Sequence, residues 1–270
     1  MSAIKVGIIG CGAIGTELAQ YMDRDKRFQL LYILDEKKEA SEKLLAKLKN
    51  KPAEVISVTD MEEADLIIEA ASQECVRERM PGALEKADVM IMSVGAFSDT
   101  KFFREFRDKA EKLGRSIHIP SGAIAGLDAL KAAAQGGLDS VTLTTRKHPS
   151  AFEGAPWVKK TEVPLHAIKK PTVIFEGTAN RAIAGFPKNI NVAITLALAG
   201  VGPEQTKVKI IADPFAVRNA HEIDVVGKFG TMNIKLESNP SPYNKKTSRL
   251  AAFSAIATLR KLAESLQIGT

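Results

Sequence analysis

Short apolar runs alternate with amphipathic segments along the first 120 residues of the chain. The runs are rich in β-branched side chains, which is typical of buried strands, and the segments between them repeat apolar residues at helical spacing. The pattern predicts strands at Ile4–Ile9, Gln29–Leu34, Val55–Ser57, Asp65–Glu69, Asp88–Ser93 and Ser116–Ile119, and helices at Ile14–Met22, Ser41–Leu48, Cys75–Lys86 and Lys101–Leu113. Strands that alternate with helices indicate βαβ units and a parallel sheet, so we expect one Rossmann-like domain here.

The pattern changes after residue 120. Small residues at Ser121–Gly126 lead into a predicted helix at Leu127–Gln135, and β-rich segments follow. Strands are predicted at Val141–Arg146, Thr172–Gly177, Thr206–Ala212, Glu222–Val226 and Thr231–Leu236, and helices that cover one face at Ala179–Phe186 and Asn189–Leu198. The first and the last three of these strands are consistent with an antiparallel sheet, with a hairpin turn at Lys228–Gly230. The predicted fold class is therefore α/β, a Rossmann parallel-sheet domain plus a second α+β domain with a mainly antiparallel sheet.

The chain closes with a two-proline loop at Asn239–Asn244 and a long predicted helix at Lys246–Ser265. The apolar stripe of this helix consists of Ala252, Ile256, Leu259 and Ala263. A stripe at this spacing favours packing against another element, and we expect it to pack back on the first domain. We predict a first domain of residues 1–120 with the helix of residues 245–270, and a second domain of residues 121–244.

Composition and charge narrow the class of protein. The 270-residue chain is 45% hydrophobic and 26% charged, which is typical of a soluble globular protein with two domains. Basic and acidic residues are interleaved, so the net charge of +6 does not indicate a nucleic-acid partner. Cys11 and Cys75 form no CxxC pair, which favours free thiols in a reducing compartment. No signal peptide and no membrane-spanning apolar run is visible, so we expect a cytoplasmic protein without a membrane partner.

The strongest chemical signal is a GxGxxG motif that follows the first strand and opens the first helix, which is the context that dinucleotide binding requires. Gly10 permits the tight turn, Gly12 lets the backbone approach the pyrophosphate, and Gly15 lets the helix pack on the strand. Unpaired N–H groups at the helix N-terminus are then available to a phosphate. The predicted cofactor-binding residues of this motif are Gly10, Cys11, Gly12, Ala13, Ile14 and Gly15. Residues 1–120 are thus predicted to form a dinucleotide-binding domain.

The residues after the next strands refine the choice of cofactor. Asp35 follows the second strand, where an acid accepts the ribose 2′-hydroxyl, and this favours NAD over NADP. Lys37 and Lys38 lie just beyond Asp35, where a lysine can pair with the 2′-phosphate of NADP. The sequence therefore leaves NADP open as the cofactor. Ligands of such folds bind outside the carboxyl ends of the strands. The small residues expected to line that crevice are Ala70–Ser72 after the fourth strand and Ser93–Ala96 after the fifth. Of these, Ala71 and Ser72 are predicted cofactor-binding residues.

Four histidines are candidates for general acid–base chemistry. His221 begins a strand beside polar residues, and histidine is the usual acid or base near neutral pH. His118, His148 and His166 are alternatives that spacing alone does not exclude.

Polar and cationic residues near predicted element ends are candidates for binding a substrate. They are Arg146, Lys147, Lys188, Arg218 and Asn219. Arginine and lysine pair with carboxylates, arginine in a bidentate manner. Asn189 and Asn191 each suit either a helix cap or a contact to nicotinamide or substrate. No metal site is expected.

Five blocks of the chain resemble the L-aspartate dehydrogenase family. In chain order they are Gly7–Gly15, Ser121–Leu130, Thr144–Pro149, Lys188–Ala199 and Ala212–Gly230. The resemblance runs over nearly the whole chain, but His148 stands where the family pattern has proline and the charged stretch Asp35–Lys51 is unexplained. The resemblance implies NAD(P)-dependent oxidation of L-aspartate to iminoaspartate, released as oxaloacetate and ammonia, in NAD biosynthesis.

The same resemblance implies residue roles. The active-site histidine of the family falls on His221, and its NAD-contacting residues fall on Ala125 and Asn191, which selects Asn191 over Asn189. A dicarboxylic amino acid is the implied substrate, and a homodimer formed through the sheet of the second domain, the catalytic and oligomerisation domain, is the family expectation. Three alternatives stay open: an enzyme like dihydrodipicolinate reductase, although no His-His pair is present; one like homoserine dehydrogenase, although that family is usually longer; and a non-catalytic NAD(H) sensor.

Overall fold

The chain divides into two compact units in the computed structural model, which describes residues 2–187, 191–239 and 248–269. The first unit comprises Met1–Pro120 and Ala251–Gln267, and the second comprises Ser121–Leu250 and Ile268–Thr270. Among the described residues, no helix has the length and the apolar character needed to cross a membrane.

A six-stranded sheet forms the centre of the first unit. Its strands are β1 (Ile4–Ile9), β2 (Phe28–Leu34), β3 (Ala53–Glu54), β4 (Leu66–Glu69), β5 (Asp88–Ile91) and β6 (Ile117–His118). All neighbours are parallel, in the order β3-β2-β1-β4-β5-β6. This is the doubly wound Rossmann order. Successive strands are added toward one side of the sheet from β1 to β3 and toward the other side from β4 to β6, and ligands bind outside the carboxyl ends of the strands near β1 and β4. The predicted Rossmann architecture is confirmed.

The helices that flank this sheet are α1 (Ala13–Met22), α2 (Lys38–Leu45), α3 (Gln73–Lys86) and α4 (Thr100–Leu113). Side chains cap the N-termini of α3 and α4, but not those of α1 and α2. The Ser72 hydroxyl accepts a hydrogen bond from Cys75 N at 3.1 Å at the start of α3. The Asp99 carboxylate accepts from Lys101 N and Phe102 N, both at 3.0 Å, at the start of α4. Such caps satisfy N–H groups that have no partner inside the helix.

Two element boundaries differ from the prediction. The strand predicted at Val55–Ser57 is β3, which lies two residues earlier, because Ala53 and Glu54 pair with β2 and Ser57 instead caps a short 3₁₀ turn. The helix predicted at Ser41–Leu48 is α2, and it begins and ends three residues earlier. Leu48 is buried although it lies beyond the end of α2. Its apolar side chain therefore indicates packing in the core and does not mark the end of the helix.

The sheet of the second unit is mixed rather than wholly antiparallel. Its strands are β7 (Leu138–Lys147), β8 (Thr172–Thr178), β9 (Lys207–Ala212), β10 (Asn219–Gly227) and β11 (Gly230–Ser238), in the order β11-β10-β7-β9-β8. Three pairings are antiparallel, but β7 and β9 are parallel, which corrects the expectation for this pair. The chain between β7 and β9 is long enough to cross over, as a parallel pair requires. A hairpin turn joins β10 to β11, as predicted, but it contains two residues, since Gly230 is already in β11 and pairs with Gly227.

Helices cover one face of this sheet. They are α5 (Leu127–Gly136), α6 (Pro156–Thr161), α7 (Ala179–Gly185) and α8 (Asn191–Ala199). Helix α5 packs on β10, α8 packs on β7, and α7 packs on β8 and β9. The short α6 was not predicted; its signal is a proline at the first helical position. The predicted start of α8 at Asn189 lies outside the described residues.

The last helix, α9 (Arg249–Ala263), supplies part of the core of the first unit. Ala255 and Leu259 are fully buried among β1 and α1 side chains such as Ile8 and Leu18. Ala252 is also buried, and Ile256 and Ala263 are partly buried against the same core. The predicted apolar stripe is therefore the buried face of the helix.

Candidate functional site

The glycine loop after β1 has two glycines fixed by packing and one that borders open space. At Gly10, with φ +103°, a Cβ would lie 2.6 Å from the carbonyl carbon and oxygen of Ala70. At Gly15 a Cβ would overlap the carbonyl oxygen of Gly10. Gly12 has φ −72°, and a Cβ there would meet nothing within 4 Å. The packing thus holds a bare backbone turn before α1, and the open space at Gly12 fits an approaching pyrophosphate.

Asp35 follows β2 and is hydrogen-bonded to the glycine loop. Its Oδ2 accepts from Cys11 N at 2.7 Å, and its Oδ1 accepts from Lys37 N at 2.8 Å. A carboxylate has about four lone-pair positions, so each oxygen retains capacity for a further donor such as a ribose hydroxyl. The side chain therefore fixes the loop and still suits its predicted role.

Both cysteines are buried free thiols, as the sequence predicted. Burial raises the pKa of Cys11 to about 11, and the charge of Asp35 adds to this. Burial likewise raises the pKa of Cys75 to about 12. Both thiols are protonated at neutral pH, which argues against a nucleophilic role because the thiolate is the reactive form.

The residues after β4 lie at the carboxyl edge of the sheet. Ala71 is exposed and donates its N–H to the carboxylate of Glu69 at 2.7 Å, while Ser72 caps α3. Glu69 was not among the predicted site residues. It is fully buried at the end of β4 and also accepts hydrogen bonds from Ser93.

In the second unit, His221 and Thr145 face each other across β10 and β7. They are register partners, and Thr145 Oγ1 lies 3.0 Å from His221 Nδ1. Both side chains are buried. A hydroxyl both donates and accepts, so this contact is compatible with either neutral tautomer and with the imidazolium. Nε2 is then the ring nitrogen left for acid–base chemistry.

Lys147 lies two residues beyond Thr145 on the same face of β7 and is also buried. Burial lowers its pKa to about 8. Burial, and then the charge of Lys147, lower the pKa of His221 to about 3. His221 is therefore neutral near pH 7. Asn219 lies on the same side of β10 as His221, because side chains two apart on a strand share a face.

Arg146 lies on the other face of β7 and is not close to this group. Its guanidinium pairs with Asp213 Oδ2 at 3.1 Å. The alternation of side chains along β7 separates Arg146 from His221. The cavity on that other face, about 410 Å³ in volume, is lined by Thr144, Arg146, Ala220, Glu222, Lys235 and Glu237. Of the two neighbouring cations predicted for the substrate, only Lys147 shares a face with His221.

The other predicted residues are placed as follows. Ala125 directly precedes Gly126, whose φ is +77° and where a Cβ would overlap Ile234 Cδ1. Asn191 is the first residue of α8. Lys188 lies outside the described residues, as does Asn189.

The remaining histidines lack the neighbours that His221 has. His118 is half-buried in β6 near Asp88, and burial lowers its pKa. His148 is exposed and contacts Ser150 Oγ at 2.8 Å, and His166 is exposed in a short 3₁₀ turn. Within the described ranges, no group of three or more carboxylate, imidazole or thiol side chains could hold a metal ion.

Comparison with known proteins matches both units. Residues 128–262 match the family profile described as aspartate dehydrogenase, C-terminal, and residues 10–120 match the profile described as homoserine dehydrogenase, NAD binding domain. L-aspartate dehydrogenase of Methanococcoides burtonii is 47% identical over 99% of this chain and 100% of that protein. L-aspartate dehydrogenase of Nitrosopumilus maritimus is 42% identical over 98% of this chain and 99% of that protein. The chain belongs to the L-aspartate dehydrogenase family.

Solved structures agree with this family membership. Aspartate dehydrogenase from Thermotoga maritima superposes with a TM-score of 0.77 and 29% identity, covering 98% of this chain and 99% of that one. Scyllo-inositol dehydrogenase from Lactobacillus casei has a TM-score of 0.57 at 13% identity, covering 99% of this chain and 90% of that one, which shows a shared fold alone. As an L-aspartate dehydrogenase family member, the chain is a dehydrogenase whose first unit binds NAD(P).

Alanine substitutions at Gly12 and Gly15 should have different effects, the first on cofactor binding and the second on stability. Gly12→Ala fills open space, so we expect unchanged thermal unfolding but at least tenfold weaker NADH binding, measured by fluorescence titration. Gly15→Ala is expected to lower the unfolding temperature, because its Cβ overlaps the Gly10 carbonyl. Equal NADH affinity of Gly12→Ala and the parent protein would contradict the placement of the pyrophosphate.

Lys147→Met should change both the pKa of His221 and the stability. Removing the charge raises the His221 pKa, which stays below its usual value because burial is the larger cause. The pKa of Lys147 is lowered on folding, so the unfolded chain binds more protons between about pH 8 and 10.5, and parent stability rises with pH there. Methionine removes this dependence, and we expect about 1–2 kcal/mol of added stability at pH 7.

NMR titration of the imidazole signals and denaturant unfolding at several pH values measure these two effects. Arg146→Met is the matched control, because this neighbouring cation lies on the opposite face. It should leave the His221 pKa unchanged. An unaltered His221 pKa in Lys147→Met would show that the two side chains do not interact.

Proposed function

We propose that this protein catalyses the reversible oxidative deamination of L-aspartate. In the forward direction, L-aspartate, water and NAD(P)⁺ yield oxaloacetate, ammonium, NAD(P)H and a proton, through iminoaspartate. The observation that carries this proposal is the buried group of His221, Thr145 and Lys147 on one face of the second sheet. Relatives that share almost the full length of the chain and are named L-aspartate dehydrogenase support it.

His221 is proposed as the acid–base residue. Oxidation of an amine requires that the substrate ammonium first lose a proton, and hydrolysis of the imine requires proton removal from water and proton donation to the leaving ammonia. A neutral imidazole whose Nδ1–H is donated to Thr145 has a free lone pair on Nε2 to accept the first proton. The chemistry supplied by the cofactor is acceptance of a hydride from the substrate Cα.

Lys147 is proposed to bind a substrate carboxylate. A buried ammonium lacks the hydration that stabilises its charge, which is why its pKa is lowered to about 8. A carboxylate brought beside it compensates that loss, so pairing is stronger there than at the surface. The same anion also favours the protonated form of His221, which is the form that donates to ammonia. Asn219 shares the face of His221 and is proposed as a neutral contact to the substrate, and Arg146 is left to pair with Asp213.

The cofactor contacts are proposed to follow the family pattern. Ala125 and Asn191 are expected to contact the cofactor, together with the glycine loop of residues 10–15, Asp35, Ala71 and Ser72. The acid at position 35 favours NAD, because a 2′-phosphate beside a carboxylate is repelled. We further propose that the iminoaspartate formed feeds NAD biosynthesis, and that the enzyme works in the cytoplasm, where its free thiols stay reduced.

We also propose that the enzyme is a homodimer formed through the second sheet. The face opposite the helices carries side chains of both charge signs, including Glu222, Lys235 and Glu237. A surface with both signs is self-complementary when a two-fold axis brings two copies together. This arrangement supports a contact between equivalent sheets.

The substrate assignment is tested by NADH formation at about 340 nm with a panel of amino acids, each with NAD and with NADP. We expect turnover with L-aspartate, none with homoserine, and a preference for NAD. His221→Ala should lower kcat about 100- to 10,000-fold with little change in NADH affinity. His166→Ala, an exposed histidine of the same unit, should behave like the parent protein.

Different outcomes of that panel favour different functions. Turnover only with homoserine or another substrate would replace the aspartate assignment. Tight NADH binding without turnover on any amino acid would favour a sensor. Near-parent turnover of His221→Ala would remove the acid–base role.

The dimer is tested by sedimentation equilibrium. We expect a mass of about twice the 29.1 kDa of one chain. Glu222→Lys should weaken association, since it places a lysine among cations of the same face such as Lys235. A monomeric parent protein, or a dimer unaffected by this change, would argue against the sheet as the interface.

A further inference from the structure

Glu69 is a carboxylate with no exposed surface at the carboxyl end of β4. Its Oε1 accepts from Ala71 N at 2.7 Å and from Ser93 Oγ at 2.8 Å. Its Oε2 accepts from Ser93 N at 2.9 Å and from Met92 N at 3.2 Å. Within the described part of the chain, these donors come from the two segments that follow β4 and β5.

Burying a carboxylate at this position is costly. Loss of hydration raises its pKa, and the hydrogen bonds from Ser93, Ala71 and Met92 oppose that rise. An apolar residue would continue the apolar run of β4 without this cost. The carboxylate instead accepts from the main-chain N–H groups of Ala71 and Ser93 where the chain leaves the sheet, and it shares the N–H of Met92 with the main-chain oxygen of Glu69, 3.1 Å away. Buried N–H groups without an acceptor are themselves costly. Its effect is therefore to fix the path of both loops.

The loop after β4 in turn packs on the glycine motif. The position of a Cβ on Gly10 would lie 2.6 Å from the Ala70 carbonyl and 2.8 Å from Ala71 N. The N–H of Ala71 that points to Glu69 therefore belongs to the same peptide that contacts Gly10. Glu69 links, through Ala71 and Ser93, three loops at the carboxyl edge of the sheet, and that edge is where the fold binds dinucleotides.

We propose that Glu69 is a positioning residue for the cofactor, which holds the loops after β4 and β5 against the glycine loop before the cofactor binds. A binding site whose backbone is already ordered loses less conformational entropy on binding, and its affinity is correspondingly higher. The inference depends on NAD(P) binding by the first unit. It does not depend on aspartate as the substrate, so the two proposals fail separately.

Glu69→Gln is the decisive variant. In either orientation of the new amide, its NH₂ group faces at least one main-chain N–H, so a donor meets a donor and a loop must move. We expect NADH to bind at least tenfold more weakly, measured by fluorescence titration at about 25 °C. Circular dichroism at the same temperature serves to check that the variant is folded. Ser93→Ala removes only the hydroxyl donor and should cause a smaller loss, about two- to fivefold.

Two controls separate positioning from general stability. Asp65→Asn changes another carboxylate that accepts a main-chain N–H, from Lys5 at 2.8 Å, but at the opposite edge of the same sheet. Val89→Ala leaves a cavity at a fully buried position of β5 and lowers the unfolding temperature. Both should bind NADH within about threefold of the parent protein.

Hydrogen exchange of the parent protein provides a test that needs no variant. Ala71 is exposed, yet its amide should exchange slowly without cofactor because it is donated to a buried carboxylate. The Ser93 amide should behave in the same way. The proposal is overturned if these two amides exchange at unprotected rates, if Glu69→Gln binds NADH within twofold of the parent, or if Val89→Ala loses as much affinity.

Discussion

Main-chain N–H groups need hydrogen-bond acceptors at the points where the parallel strands of the first sheet end. This requirement determines how the loops at the carboxyl edge of the sheet are held. Two carboxylates meet that need: Asp35 accepts from Cys11 and Lys37, and Glu69 accepts from the segments after β4 and β5. Between them they fix the glycine loop and the segments that follow β2, β4 and β5. The two acids differ in what they can still bind: both oxygens of Glu69 accept two hydrogen bonds each, whereas each oxygen of Asp35 accepts one and can accept another from a ribose hydroxyl.

The second unit depends on a different constraint, the alternation of side chains along β7. Alternation places Thr145 and Lys147 on the helix-covered face with His221, and Thr144 and Arg146 on the opposite face. The covered face excludes water, which makes the ammonium of Lys147 destabilising for the fold and strongly attractive to an anion. The same burial keeps His221 neutral. The protein is thus less stable than it would be with an apolar residue at position 147. The lysine is at a position where its charge serves the proposed chemistry.

Much of the fold could be predicted from hydrophobic periodicity, because β1, α1 and β2 are buried elements whose apolar residues mark their ends. The β7–β9 pairing could not be predicted, since strand direction depends on the crossover and not on either strand. The glycine motif predicts a cofactor site from sequence alone, because its residue types are required locally. Glu69 was missed, because a glutamate that ends an apolar run resembles an ordinary strand end until donors more than 20 residues away close around it. Likewise, only the register of β7 separates Lys147 from Arg146.

The position of α9 in the core of the first unit has a consequence for biosynthesis. Ala255 and Leu259 fill space between β1 and α1, although all the strands of the second sheet lie between them in the chain. During translation the residues of β1 to β6 therefore leave that space open until α9 has been made. The core of the first unit is completed only after the second unit has been synthesised, so a product truncated before α9 lacks part of the core of the cofactor-binding unit.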